Sequence, residues 1–440
     1  MPASRPRQLN ASPSSAPEAW PWLRRAARPL LRALNRFFGF QAASGVVLVL
    51  AAALALALAN SAWSAGYFAI WQTPLGVHIG HFEFERSLEW FVNDVLMVIF
   101  FFVVGLEIRR EVQHGELSSL RRAALPAAAA LGGMLAPAAI YLLIAGGAET
   151  RSGWGVPMAT DIAFATGVLA LLGSRVPRAM RVLLLALAVI DDLGAIVVIA
   201  SFYSSHLAFP GLLLAAMGVA TIWCMQRLGV RAKAAYLAPG FVVWAGIYSA
   251  GIHPTIAGVV VGLMTPVQTL LGPAHSGASQ HPAESLIQAL EPWVAFAIMP
   301  IFALANAGVP VSVGSGSSTA SSVSMGVAVG LLVGKPLGIL LASWFALRTK
   351  IGIVPDGISA RHLVVLGVVA GIGFTMALFV SQLAFPDFAL LAAAKLGVLA
   401  ASGAAALLGL LLGRVLLPSG WAPKKPGSGA DVHPLKRPSA

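Results

Sequence analysis

Charge is what this 440-residue chain has least of: Asp, Glu, Lys and Arg together make up 10% of it, against about a quarter of an ordinary soluble domain. So little charge cannot coat a globular core in water, and the 58% of hydrophobic residues arrive in long runs, so a polytopic membrane protein is what remains. There is one cysteine, Cys224, which excludes an intramolecular disulfide framework and metal-thiolate clusters. Acidic residues are scarcer than basic ones, 17 against 29, for a formal net charge of +12. No basic stripe is interleaved with aromatics, so the excess does not read as a nucleic-acid surface; the Lys and Arg fall between apolar runs instead. The Gly-x-Gly-Asp stretch of an intramembrane aspartyl protease is absent as well, with Val189 and Ile190 standing before Asp191. No enzyme is read here.

Twelve apolar runs are present, at about 43–60, 88–108, 123–144, 154–172, 182–201, 207–225, 234–250, 255–264, 287–309, 323–347, 363–383 and 388–417. About 20 apolar residues in a helix cross the hydrocarbon core, so most of these predict transmembrane helices and the fold class is all-α. Residues 1–42 read as a basic cytoplasmic tail, disordered where Ser, Pro and Arg dominate and amphipathic around Trp20 to Phe38. Residues 43–418 form the membrane domain, and 419–440 a second disordered tail. The first run ends in small residues, Ala57-Leu58-Ala59-Asn60-Ser61-Ala62, but it is long for a signal peptide and follows a long basic tail, so it is read as a retained span.

With the N-terminus in the cytoplasm, all but four of the 29 Lys and Arg fall in the tails or in inner loops. Arg86 and Arg151 are outside, and Lys335 and Lys395 lie inside runs. This alternation follows the positive-inside rule and predicts both termini cytoplasmic. In the first outside loop, Gly76 to Glu85 alternates apolar and polar residues on both sides of Gly80, the period of a small β-hairpin. An isolated hairpin is marginal in water, so a second copy of the chain is expected to pair with it.

Ionisable residues inside the runs carry the functional reading. Asp191 and Asp192 stand together in the middle of 182–201, Asp161 near the middle of 154–172, and Lys335 in the middle of 323–347. Each is costly at the bilayer centre, and three acids with one base at one depth point to a cation and proton site. The two adjacent aspartates differ by about 100° around the helix, so one is expected to face the cation and the other to share Lys335. Asp94, next to Asn93, is read as a cap at a helix start, and Lys395 as snorkelling to the outer interface. Two runs are punctuated at that same depth, by Gly155, Pro157, Thr160 and Asp161 in one and by Gly367, Gly371, Gly373 and Thr375 in the other. Both predict interrupted helices, whose facing ends carry partial charges that Asp161 and Lys335 can offset.

Six stretches together resemble the NhaA-type Na+/H+ antiporters, over essentially residues 43–417. They are Phe102-Val103-Val104-Gly105-Leu106-Glu107-Ile108-Arg109-Arg110-Glu111, Ala159-Thr160-Asp161-Ile162-Ala163-Phe164-Ala165, Val189-Ile190-Asp191-Asp192-Leu193-Gly194-Ala195, Ala303-Leu304-Ala305-Asn306-Ala307-Gly308-Val309, Gly334-Lys335-Pro336-Leu337-Gly338 and Gly371-Ile372-Gly373-Phe374-Thr375-Met376. The resemblance implies twelve helices in inverted repeats with two crossing interrupted helices, located in a bacterial inner membrane. It implies electrogenic exchange of intracellular Na+ or Li+ for external H+, serving pH and sodium homeostasis, with no cofactor. It assigns Asp191 and Asp192 to Na+ or Li+ and the exchanged protons, Thr160 and Asp161 to the site lining, Lys335 to Asp191, and the outside hairpin to a homodimer. The alternative from another class is a sodium-coupled organic-solute symporter of similar architecture; titratable groups at the site favour the antiporter.

One departure from the family stands before Pro292-Trp293. Relatives carry histidines there, whereas this chain has Ile287, Gln288 and Glu291. A carboxylate finishes titrating well below the range in which an imidazole changes charge, so the entrance cluster of Glu107, Arg110, Glu111 and Glu291 is expected to give a pH response that is shallower or begins lower.

Overall fold

The structure is a computed structural model and describes residues 42–79, 82–204, 207–230, 232–265, 282–314, 317–355 and 357–418. The tails expected over 1–42 and 419–440 lie outside the described residues, apart from Ala42, which begins the first helix.

The first helix, α1, is Ala42–Ala59, and a short α2, Ser64–Gln72, leads from it into strands β1, Pro74–Ile79, and β2, Phe82–Ser87. The strands pair antiparallel from Pro74 opposite Ser87 to Ile79 opposite Phe82. The expected hairpin is therefore present, extended at its open end beyond the alternating stretch. Ser87 then caps α3, Leu88–His114, by accepting from the Trp90 amide at 3.2 Å.

The chain continues as α4, Leu120–Ala145; a 3-10 segment, Arg151–Met158; α5, Ile162–Leu171; and α6, Arg178–Phe202. Next come α7, Phe209–Arg227; α8, Ala234–Ser249; α9, Thr255–Met264; α10, Ala283–Asn306; and α11, Ser318–Arg348. It ends in α12, Ala360–Ala370; α13, Phe374–Ala384; and α14, Phe388–Leu416, whose first turn is capped by Asp387. Among the described residues eight helices are long and apolar enough to cross a membrane, or ten if each bent pair counts as one span. Those pairs are Arg151–Met158 with α5, bent by 40°, and α12 with α13, bent by 45°, at the two runs read as interrupted. Helices α8 and α9 coincide with the seventh and eighth runs and are shorter than the eight long helices, between 10 and 17 residues. At a rise of 1.5 Å per residue they fall short of a full hydrocarbon thickness.

Burial divides the bundle. The main core joins α1 and α3 to α6 with α10 to α14, while α7, α8 and α9 share a smaller core around Ala215, Ile222, Val243, Ile247 and Ala257. Helices α4 and α11 approach most closely at Gly132 and Gly338, where a Cβ on Gly338 would come within 2.0 Å of the Gly132 carbonyl oxygen. Only a residue without a side chain lets the backbones meet so closely.

Two expectations are corrected. Asp94 caps nothing: it lies inside α3, in a π-helical turn over Phe91–Leu96, where it faces His253 Nε2 at 3.6 Å. The helix starts at Leu88, as the apolar run does, and Ser87 is its cap, so Asp94 lies well past the first turn. Lys395 does not run along a lipid-facing surface; at 7% exposure it is buried among helices, within electrostatic reach of Glu89 in the first turn of α3.

Candidate functional site

The two breaks meet. The Asp161 amide donates to the Ile372 carbonyl at 2.7 Å, and the Thr160 hydroxyl oxygen lies 3.1 Å from the Ala370 carbonyl, so each broken span supplies a backbone partner for the other. That cross-pairing is what lets non-helical backbone persist inside an apolar bundle. Gly371 is needed at the contact, since a Cβ there would come within 2.6 Å of the Leu331 carbonyl oxygen.

Around this crossing three of the four helix ends have a charged partner of opposite sign. Asp161 is the N-cap of α5: its Oδ1 accepts from the Phe164 amide at 2.9 Å. Its Oδ2 accepts from the Thr375 amide at 3.1 Å and from the Thr375 hydroxyl, so the same carboxylate also faces the N-terminal turn of α13. Lys335 Nζ donates to the Met158 carbonyl, at the C-terminal end of the other half of that span. Helix N-termini carry partial positive charge and C-termini partial negative charge, so an acid on the first and a base on the second is the favourable arrangement. This is the placement of Asp161 and Lys335 that the interrupted runs suggest.

Asp191 and Asp192 come from the middle of α6, 0% and 1% exposed. Asp191 Oδ2 faces Lys335 Nζ at 3.0 Å and accepts from the Thr160 hydroxyl at 2.7 Å. Lys335, itself 0% exposed, follows a π-helical turn over Gly330–Gly334. Asp192 is in none of these bonds. Its Oδ1, like Asp191 Oδ1, is buried with no hydrogen-bond partner. One aspartate thus shares the lysine and the other is left facing the interior. No group of three or more His, Cys, Asp or Glu that would hold a resident metal ion occurs among the described residues. The oxygens gathered here are carboxylates and hydroxyls, the donor set of a hard cation.

The entrance residues also assemble. Glu107 is within electrostatic reach of Arg110, Glu111 and Glu291, and in turn of Asp192. Glu111 Oε2 accepts from the Glu116 amide at 3.2 Å, fixing the turn after α3. A cavity of about 580 Å³ opens at the same arginine-rich end of α5 and α6, lined by Thr166, Ser174, Arg178, Arg181 and Leu185 among others. Leu185 precedes Asp192 by two helical turns and so shares its face of α6.

The sequence reading missed the Met158 and Ile372 carbonyls and the π-helical turn before Lys335, none of which has a residue-type signal. It also passed over the buried amides Asn93 and Asn306 and the half-buried Gln382, which the apolar runs displayed openly.

A carboxylate pair carried by an unbroken helix, set against two broken ones and a buried lysine in a bundle of membrane-length helices, is an arrangement suited to a membrane transporter of cations. A model of the family described as Na+/H+ antiporter 1 matches residues 35–412. The chain is 58% identical to "Na(+)/H(+) antiporter NhaA 2" of Myxococcus xanthus (strain DK1622), over 96% of this chain and 97% of that one. It is 49% identical to a protein of the same name from Sorangium cellulosum (strain So ce56), over 92% and 94% of the two chains. It is 46% identical to "Na(+)/H(+) antiporter NhaA" of Yersinia pseudotuberculosis serotype O:1b (strain IP 31758), over 88% and 97%. The chain belongs to the Na+/H+ antiporter 1 family.

Proposed function

We propose that this protein exchanges intracellular Na+ or Li+ for external H+ across a bacterial inner membrane, electrogenically, in pH and sodium homeostasis. Charge accounting at the site supports the reading. Asp161 is offset by two helix N-termini and Asp191 by Lys335, which leaves Asp192 as the carboxylate without a fixed partner. A proton and a monovalent cation satisfy that charge equally well, so they compete for it. Loading one from one side and the other from the opposite side turns competition into exchange. Asp191, released from Lys335, carries the second proton of a two-for-one exchange, and the net charge moved couples transport to the membrane potential at about 2.3 kcal/mol per charge per 100 mV. The symporter alternative lacks support from the relatives, all of which are named Na+/H+ antiporters.

In this reading all twelve helical runs cross the membrane, α8 and α9 included, as inverted repeats with both termini cytoplasmic. The cavity beside Leu185 is the inner approach to Asp192. The single observation that carries the function is Asp192: buried, unpartnered, and next to a second carboxylate already engaged. The test uses everted membrane vesicles with an imposed proton gradient. Na+ and Li+ are expected to dissipate it and K+ to leave it intact; indifference to Na+ overturns the reading.

Two further outcomes follow from this function. Placing a histidine in the entrance cluster with Glu291→His is expected to move the onset of exchange toward the imidazole range and to steepen it. The check is exchange rate from about pH 6 to 9 beside the wild type; superimposable profiles mean that position 291 does not shape the response. The hairpin is the proposed homodimer contact, β1 and β2 having only each other as sheet partners among the described residues. Detergent-solubilised protein is expected to be a dimer and to become a monomer when residues 75–86 are replaced by a short Gly-Ser linker; an unchanged mass excludes the hairpin as the contact.

A further inference from the structure

At the end of α13 away from its break, four side chains from three helices form one hydrogen-bonded chain. Asn306 Nδ2, on α10, donates to Asn93 Oδ1 at 2.8 Å. Asn93 Nδ2, on α3, donates to Gln382 Oε1 at 2.6 Å, and Gln382 Nε2, on α13, donates to Glu89 Oε1 at 2.9 Å. All three amides therefore hand their N–H groups in one direction, toward the Glu89 carboxylate. The chain ends inward at Asn306 Oδ1, which is buried without a hydrogen-bond partner on a residue 0% exposed. Buried amides are expensive unless paired, and a chain of them spanning three helices costs more to break at one link than the link alone.

The position of this chain relative to the carboxylates is what gives it a use. Gln382 follows Thr375 by seven residues, two turns along the same face of α13. Thr375 holds Asp161, so one unbroken half-helix joins the cation site to the amide chain. Between them Phe379 packs its ring against Phe101 at 5.4 Å and Phe302 at 6.3 Å, filling this part of the bundle with aromatic side chains. The opposite end holds the cavity beside Arg178 and Leu185. A cavity thus lies at one end, and packed rings with a chain of hydrogen-bonded amides at the other.

We propose that Asn306, Asn93, Gln382 and Glu89 are a latch that holds the external side of the transporter shut, and that it opens and re-forms once in each exchange cycle. The assignment of this end to the outside rests on the topology given above. Alternating access requires α13 to part from α3 and α10 at this end, and these are the hydrogen bonds that such a movement breaks. The unpartnered Asn306 oxygen is the acceptor that a hydrated cation meets first on its way out.

The experiment places a reporter cysteine at Leu378, which shares the face of Thr375 and Gln382 and is 0% exposed, in a Cys224→Ser background. A membrane-impermeant thiol reagent is applied to right-side-out and to everted vesicles, and Na+/H+ exchange is measured in parallel. With the latch intact, external labelling is slow. Gln382→Ala is expected to speed it about tenfold and to raise the Na+ concentration for half-maximal exchange from the cytoplasmic side, because the inward-open state is less populated. Glu89→Ala, at the half-buried end of the chain, is expected to act in the same direction by about threefold and serves if Gln382→Ala does not fold. Unchanged external labelling in a folded, exchanging Glu89→Ala protein overturns the latch. Faster labelling only in everted vesicles overturns its assignment to the external side. Absence of exchange in the reporter background with both latch residues intact counts against the antiporter reading itself, a separate outcome.

Discussion

Asp192→Asn is expected to lower Na+-driven proton movement by about three orders of magnitude while leaving the fold in place. Asparagine keeps the shape of the side chain, and Asp192 Oδ1 has no hydrogen bond to lose. What disappears is the charge and the exchangeable proton. A unit charge at about 4 Å from a cation contributes roughly 4 kcal/mol at an effective dielectric constant of about 20, and every 1.4 kcal/mol is about a factor of ten. Neither neighbour replaces it, because Asp161 is held by the helix ends and Asp191, paired with Lys335 until it takes the second proton, already has its own part in the exchange. The readout is Na+-dependent collapse of a proton gradient in everted vesicles, with protein amount and melting temperature as controls. Exchange at near wild-type rate in the folded variant would remove Asp192 from the centre of the mechanism.

Lys335→Ala is expected to destabilise the protein by roughly 3 to 5 kcal/mol, because it strands a buried carboxylate rather than merely deleting a contact. Lys335 and Asp191 are both 0% exposed and 3.0 Å apart, and Lys335 also holds the Met158 carbonyl at the end of a half-helix. Removing the amine leaves Asp191 with the Thr160 hydroxyl as its remaining hydrogen-bond donor and leaves that carbonyl without the amine. Replacing both partners by neutral groups of similar volume is the informative companion. Lys335→Met with Asp191→Asn is expected to recover most of the melting temperature, since a buried pair exchanged for uncharged residues is often close to neutral in stability. Thermal unfolding in detergent distinguishes the cases. If Lys335→Ala melts with the wild type, the pair makes no contribution to the fold.

Much of this architecture was legible before the structure, and the reasons differ from element to element. The apolar runs mark the helices because lipid leaves the backbone few alternatives. Glycine and Pro157 beside Thr160 and Asp161 mark a break because a polar, flexible stretch at mid-depth has no reason to be there otherwise. The pairing of one aspartate with Lys335 follows from geometry on one helix: residues 191 and 192 point about 100° apart and cannot both reach the amine. Register inside the helices was not legible. The π-helical turns at Phe91–Leu96 and Gly330–Gly334 shift which residues face inward, and they arise from packing rather than from any local residue preference. That is why Asp94 was misread as a cap. Lys395 was misread because snorkelling assumes lipid on that face, whereas the face is buried by other helices. The amide chain joins residues more than 200 positions apart, and nothing in a single sequence pairs Asn93 with Asn306 or Gln382.

The central claim is that Na+ and H+ occupy the same buried carboxylates by turns, and proton release tests it without any gradient. Purified protein in detergent, in lightly buffered solution near the pH of half-maximal exchange, is mixed with NaCl while a pH indicator is followed, with choline chloride as the salt control. The account predicts acidification on Na+ and on Li+, none on choline, and loss of the signal in Asp192→Asn. Na+ binding with no proton release, or the same release from Asp192→Asn, would contradict it.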